Sequence, residues 1–138
     1  MTILIALDES DPARAALEFA LDSHPDEPLL AVHVVDPTVG PYGEGGIYAY
    51  DTLVKTRRET GQTLLSEAVS LAGERGIELE TELSVGNAPR EIVHIAENRD
   101  VDRIIIGSSG RTGASRVLLG SVAETVARRA PVPVTIVR

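Results

Sequence analysis

Five short apolar segments recur along the chain, separated by stretches in which apolar residues return every three or four positions. Nearly unbroken apolar segments of this length are typical of strands covered on both faces of a parallel sheet. One segment instead alternates apolar with charged residues, which indicates a strand with one solvated face. The five predicted strands are residues 3–7, 29–35, 77–85 (the alternating one), 104–106 and 132–137.

Four amphipathic helices are predicted between these strands. The first begins at Asp11 and Pro12, where Asp11 would cap the free amides and Pro12 suits the first helical position. Gly76 follows the end of the second, as glycine commonly does at helix C-termini. The second helix is predicted to span residues 51–74, the third to begin near residues 87–89, and the fourth to span residues 114–129.

This alternation predicts an α/β fold: an open, doubly wound, five-stranded parallel sheet, Rossmann-like, with helices on both faces and strand order 3-2-1-4-5. Pro133 cannot donate a ladder hydrogen bond, so the last strand is expected at an edge. The 138 residues fit one domain spanning 1–138. Residues 36–50, rich in glycine and tyrosine, are interpreted as a long mobile loop beside the second strand.

Charge and composition argue against several classes of function. The net charge of −8 disfavours nucleic-acid binding, which requires clustered cations. No apolar run approaches the roughly 20 residues that span a bilayer. The N-terminus has no basic segment, so we expect a cytoplasmic protein without a membrane partner. With no cysteine, disulfides and thiolate metal sites are excluded.

The basic residues are unevenly chosen, since only Lys55 among the 13 lysines and arginines is a lysine. An acidic, lysine-poor surface would suit a salt-rich cytoplasm, where screening removes self-repulsion. An ordinary acidic protein is the alternative explanation, and composition leaves both open.

A glycine-rich segment follows the fourth strand. Gly107, Gly110 and Gly113 carry no Cβ, so the backbone could approach a ligand closely and present its amides to an anion. The alternative is an ordinary strand-to-helix turn, and neither a Walker sequence nor G-x-G-x-x-G is present. Gly120 is expected inside the fourth helix, where glycine costs about 1 kcal/mol of helix stability relative to alanine. That cost suggests a reason for the glycine, such as the close approach of another helix or of a ligand.

The full spacing, Gly107-x2-Gly110-x9-Gly120-Ser121, resembles the G-2x-G-9x-G-[ST] signature of the ATP-binding branch of the universal stress protein family. Residues 107–138, the opening ILIALDES and the HVVDP after the second strand are similar to that family as well. The resemblance covers essentially the whole chain and is weakest over residues 36–50. Two departures are Ser109, where many members have histidine, and Asn87, where proline is common.

The resemblance implies roles for individual residues. The Asp8 carboxylate would lie near the ribose or a metal ion, and Val34 would meet adenine through its backbone. For Asp8, simple turn formation is the alternative, and His33 is interpreted as a core histidine. The implied binding set is Ala6, Leu7, Asp8, Val34, Gly107, Ser108, Ser109, Gly110, Arg111, Gly120, Ser121 and Val122.

The leading functional hypothesis is an ATP-binding regulatory protein of the stress response, acting as a nucleotide-dependent homodimeric switch. The resemblance implies ATP, with AMP or ADP as alternatives, Mg²⁺ with ATP, and a dimer through the C-terminal edge strand. The protein partner is not identified by the sequence. No catalytic residue is predicted, and without a P-loop lysine any ATPase activity would be slow. The alternatives are a slow ATP hydrolase or phosphoryl or adenylyl transferase, and a dimeric scaffold that binds no nucleotide.

Overall fold

Five strands and four helices alternate along the part of the chain that the structure describes. A computed structural model describes residues 1–37, 46–108 and 119–138, with only the backbone described at residues 46–49. The elements are β1 (Ile3–Ala6), α1 (Asp11–Ser23), β2 (Leu29–Val35), α2 (Gly46–Glu74), β3 (Leu79–Val85), α3 (Ala88–Asn98), β4 (Arg103–Gly107), α4 (Ser121–Arg129) and β5 (Val134–Val137).

The strands form one parallel sheet with the order β3-β2-β1-β4-β5. The predicted fold class and strand order are therefore confirmed. β5 lies at an edge of the sheet, as Pro133 predicted. The Pro133 carbonyl, just before that strand, accepts a hydrogen bond from Ile104 N at 3.0 Å. The central strand β1 is buried on both faces, which explains its unbroken apolar sequence.

Two cores cover the two faces of the sheet. Side chains alternate in direction along each strand, so odd and even residues of β1 enter different cores. One core joins β1 and β2 to α1 and α2, and the other joins β1, β2 and β4 to α3 and α4. Representative members are Ile3, Ile5, Ala31, Leu17, Leu21, Leu65 and Ala68 in the first, and Leu4, Leu30, Ile104, Ile92, Ile95 and Val126 in the second.

The first helix is capped by a different residue from the one predicted. Ser10, not Asp11, is the N-cap of α1, and its Oγ accepts a hydrogen bond from Ala13 N at 3.2 Å. Asp11 is instead the first helical residue, where its negative charge interacts favourably with the positive end of the helix dipole. For α3 the predicted start is confirmed, since the Asn87 side chain accepts from Arg90 N.

The second and fourth helices begin elsewhere than predicted. α2 begins at Gly46 instead of residue 51, so residues 46–50 of the expected 36–50 loop are helical, and residues 38–45 lie outside the described part. α4 begins at Ser121, with Gly120 as an extended N-cap. Gly120 is therefore not inside a helix, and its expected propensity cost does not arise. Residues 114–118 of the predicted helix lie outside the described part.

Candidate functional site

A cleft of about 990 Å³ opens at the carboxyl ends of the strands. β1 ends at Ala6, which pairs with Val32, while β2 continues for three further residues to Val35. On the other side of β1, β4 ends at Gly107. β1 is the strand at which the winding of the sheet reverses, and such a position leaves a crevice beyond the strand ends.

The cleft brings together most of the described residues that were predicted to bind. They are Ala6, Leu7, Asp8, Val34, Gly107, Ser121 and Val122. Ser108 and Gly120 do not line it but lie beside it, where Gly120 N donates to the Ser108 carbonyl at 2.9 Å. This hydrogen bond sets the start of α4 next to the end of β4. Ser109, Gly110 and Arg111 lie outside the described residues.

Asp8 stands at the mouth of the cleft, directly after β1. Its side chain is exposed, and its Oδ1 accepts a hydrogen bond from Ser10 N at 2.8 Å. The turn-forming role considered for Asp8 is thus present, because this bond folds the chain from β1 toward the cap of α1. A carboxylate has two oxygens and several acceptor positions, so the turn leaves it able to accept further hydrogen bonds from a ligand.

Three helix N-termini face the cleft, since Ser10, Asn87 and Ser121 all line it. The amides of α1 and α3 are capped by the side chains of Ser10 and Asn87. Gly120 has no side chain, so the first amides of α4 have no side-chain cap. An uncapped helix N-terminus offers backbone N–H groups and a partial positive charge. α4 is therefore the helix best prepared to receive an anion from the cleft.

The backbone of Val34 also faces the cleft. In β2, Val32 O accepts from Leu7 N at 2.8 Å on the β1 side, and Val35 O accepts from Gly86 N at 2.9 Å on the β3 side. Peptide groups of successive residues point to alternate neighbours, so those of Val34 point toward β1. β1 has already ended there, and among the described residues no backbone hydrogen bond joins Val34 N to Leu7 O.

Gly107 has a packing role that the sequence did not reveal. A Cβ at this position would lie 2.5 Å from the Pro12 carbonyl carbon and 2.6 Å from Ala13 N. The first turn of α1 thus rests directly on the β4 backbone, which only glycine permits. The position is needed for helix packing whether or not a ligand is bound.

Sequence reasoning missed several residues that line the cleft: His33, Arg57, Thr60, Asn87 and Thr125. Arg57 reaches the cleft from α2, where the sequence contains no predicted motif, and its Nη1 donates to the Asp36 carbonyl at 3.0 Å. No local sequence pattern indicates that Arg57 or Thr60 lines the cleft, because their position depends on where α2 crosses the sheet. His33 and Asn87 could have been found, since His33 adjoins Val34 and Asn87 is itself the cap of α3.

Neither a metal cluster nor a membrane-spanning helix emerges from the described part of the chain. Across residues 1–37, 46–108 and 119–138, no group of three or more histidine, aspartate or glutamate side chains is arranged to hold a metal ion. No helix within those ranges is long and apolar enough to cross a bilayer.

Known proteins share both the sequence and the fold. The model of the universal stress protein family matches residues 1–138. Universal stress protein MJ0531 of Methanocaldococcus jannaschii is 36% identical over 140 residues, covering 99% of this chain and 81% of that protein. The structure of universal stress protein UspA from Lactobacillus plantarum has a TM-score of 0.89 at 25% identity, covering 100% of this chain and 97% of that one.

A further solved structure was obtained with a nucleotide. The universal stress protein from Archaeoglobus fulgidus in complex with dAMP has a TM-score of 0.69 at 31% identity, covering 100% of this chain and 98% of that one. The adenine nucleotide is a property of that relative. The match over all 138 residues, together with the sheet order and the cleft, shows that this chain belongs to the universal stress protein family.

Proposed function

We propose that this protein binds an adenine nucleotide in the cleft and acts as a nucleotide-dependent homodimeric switch of the cytoplasmic stress response. One observation carries the proposal: the Val34 backbone, which has no backbone hydrogen-bond partner among the described residues, and the uncapped N-terminus of α4 line the same cleft. The edge of a purine can pair with a backbone donor and acceptor, and a phosphate is stabilised by free backbone amides. The dAMP complex of the Archaeoglobus fulgidus relative supports this choice of ligand.

The base would lie against the end of β2. Val34 offers one N–H and one carbonyl in the direction of the cleft, which together suit the paired donor and acceptor of an adenine edge. Ala6 and Leu7, both buried, supply apolar contact for the ring. Ile92 and Ile106 line the same cleft and extend this apolar surface.

The ribose and phosphates would lie toward Asp8 and α4. Asp8 accepts hydrogen bonds, which fits ribose hydroxyl groups. The amides of Ser121 and Val122 lie at the N-terminus of α4, where a phosphate is stabilised by free N–H groups and the helix dipole. Gly110 completes the motif by sequence, and Ser109 and Arg111 adjoin it. The glycine spacing there is the reason for assigning them to the same phosphates.

ATP with Mg²⁺ is the form of nucleotide that we propose. Mg²⁺ is commonly held by one or two carboxylates together with phosphate oxygens. Asp8 lines the cleft and would supply one such carboxylate. The fit extends to size, since a cleft of about 990 Å³ is ample for a nucleotide. When bound, the ion would neutralise phosphate charge that this acidic protein would otherwise repel.

Calorimetry with a pair of variants tests the phosphate site. Ser121→Pro removes the amide of the first helical residue, a position where proline is well tolerated. Gly120 is already extended, with φ −63° and ψ 151°, so it can precede a proline. We expect Ser121→Pro to weaken ATP binding about tenfold, and the control Ser121→Ala, which keeps the amide, to weaken it less. Equal binding by wild type and Ser121→Pro would remove α4 from the phosphate site.

The dimer would form through β5. The Pro133 and Val137 carbonyls accept from Ile104 N and Ser108 N, so the peptide groups of Val134 and Ile136 point away from β4 to the open edge. Such an edge can pair with a second copy of itself. Val134→Pro removes one outward N–H and is expected to give a monomer by light scattering. Val134→Thr keeps that N–H and should remain dimeric, whereas a dimeric Val134→Pro protein contradicts the interface.

A further inference from the structure

His33 is hydrogen-bonded to the carbonyl group of Leu7, the residue that directly follows β1. Its Nδ1 lies 2.8 Å from the Leu7 carbonyl oxygen. A carbonyl oxygen only accepts, so Nδ1 carries the proton and the histidine donates. The side chain thus donates to the first acceptor beyond β1, the strand that adjoins β2 in the sheet.

That acceptor has another natural partner, which is the N–H of Val34. Leu7 N already donates to Val32 O at 2.8 Å, and the next hydrogen bond of a parallel ladder would run from Val34 N to Leu7 O. Within the described part of the chain this bond is not formed. The ladder stops one hydrogen bond early, and His33 occupies the oxygen at which it would have continued.

The imidazole is held in place from above by α2. A Cβ on Gly61 would lie 2.5 Å from His33 Cδ2 and 3.1 Å from its Nε2. The glycine therefore lets the helix backbone rest against the ring. Because the ring is fixed between α2 and the Leu7 carbonyl, it has little freedom to release its hydrogen bond.

We infer that His33 is a positioning residue for the purine, acting through the Leu7 carbonyl. By donating to that oxygen, it competes with the Val34 N–H for the same acceptor and favours the state in which that N–H is directed into the cleft, where a base can accept from it. Gly61 belongs to the same arrangement, because it seats the imidazole. The inference rests on the proposed function, since it concerns how the same cleft receives its ligand.

Three substitutions at His33 separate positioning from packing. His33→Leu removes the donor, His33→Phe keeps a ring without a donor, and His33→Asn keeps an N–H close to the Nδ1 position. We expect the first two to bind AMP about tenfold more weakly, and His33→Asn to recover most of the affinity. Ribose 5-phosphate, which has no base, should bind all four proteins alike. A purely structural role would weaken both ligands together and give no rescue by asparagine.

Gly61 provides a test in which His33 itself is unchanged. Gly61→Ala places a methyl group against the ring and should weaken AMP binding as His33→Leu does. Gly73→Ala is the matched control in the same helix, since no atom lies within 4 Å of a Cβ there. Hydrogen exchange of the Val34 amide gives a readout without ligand. It should slow in His33→Leu, where Val34 N can reach the freed Leu7 oxygen.

Each outcome of these experiments decides a claim. Equal AMP affinity in wild type, His33→Leu and Gly61→Ala would overturn the role of His33 and leave the proposed function standing. So would an unchanged exchange rate at Val34. A folded wild-type protein that binds neither AMP nor ATP would overturn the proposed function, and the role of His33 toward a purine with it.

Discussion

Gly107 and Pro12 lie in backbone contact, so close that a Cβ on Gly107 would stand 2.5 Å from the Pro12 carbonyl carbon. The sequence suggested that this glycine serves a ligand. The contact shows that it also sets the distance between β4 and the first turn of α1. Asp8 and Ser10 lead into that same turn, so the packing of Gly107 helps to fix one wall of the cleft.

Gly107→Ala should therefore destabilise the free protein. The atoms that a new methyl group meets belong to the backbone of α1, which cannot move aside as a flexible side chain can. We expect a loss of about 1–3 kcal/mol in the free energy of unfolding, measured by urea denaturation without nucleotide. Gly73→Ala, where a Cβ meets nothing within 4 Å, should be neutral or stabilising. Unchanged stability in Gly107→Ala would contradict the close packing.

The cap of α1 offers a second stability test. Ser10→Ala removes the Oγ that accepts from Ala13 N and should cost about 1 kcal/mol. Asp11→Asn removes only a charge in the first turn and should cost on the order of 0.3 kcal/mol, an effect that salt screens. Denaturation curves of the two variants at low and high salt would measure both. Because asparagine can itself cap a helix, capping by Asp11 is tested with Asp11→Ala, and a larger loss there than in Ser10→Ala would restore the capping residue that the sequence suggested.

ATP hydrolysis is expected to be slow. Arg57 is the one cation among the described residues that line the cleft, and its Nη1 already donates to the Asp36 carbonyl. Fast phosphoryl transfer needs charge placed on the transferred group. Chromatography of products formed with Mg²⁺ should show fewer than about one turnover per minute. Several turnovers per minute, lost in Asp8→Ala, would instead favour the enzyme alternative.

The net charge of −8 predicts a response to salt. Screening reduces repulsion among the acidic residues, so the melting temperature should climb as KCl rises to molar concentrations. Exposed ion pairs such as Arg128 with Glu124 would be weakened at the same time, but each contributes little. Thermal unfolding over a KCl series measures the balance. A flat response would contradict adaptation of this surface to high salt.

The sheet could be predicted from the sequence because its strands are nearly continuous apolar runs, and the helices between them allow few windings. The start of α1 was harder, since Ser10 and Asp11 are both good caps. The turn made by Asp8 decides between them, because it leaves Ser10 extended. The sequence pattern predicts a helix on both sides of Gly120, so it did not reveal that α4 begins at Ser121.

Part of the cleft could be predicted from the order of the strands. Asp8, Val34 and Ser121 adjoin strand ends, which parallel topology brings to one edge of the sheet. Arg57 and the setting of His33 depend on where α2 crosses β2, a contact made through Gly61. That crossing joins residues far apart in sequence, so no local pattern reveals it.

Nucleotide binding at the cleft is tested most directly by the amide chemical shifts of the isotope-labelled protein, which show where AMP binds. Titration with AMP should shift the amides of Leu7, Val34, Ser108 and Ser121 most strongly, at the ends of β1, β2 and β4 and the start of α4. The groove between α1 and α2, lined by Arg14, Gln62 and Ser66, should stay unchanged. Shifts confined to that groove, or none in a folded protein, would contradict nucleotide binding at the cleft.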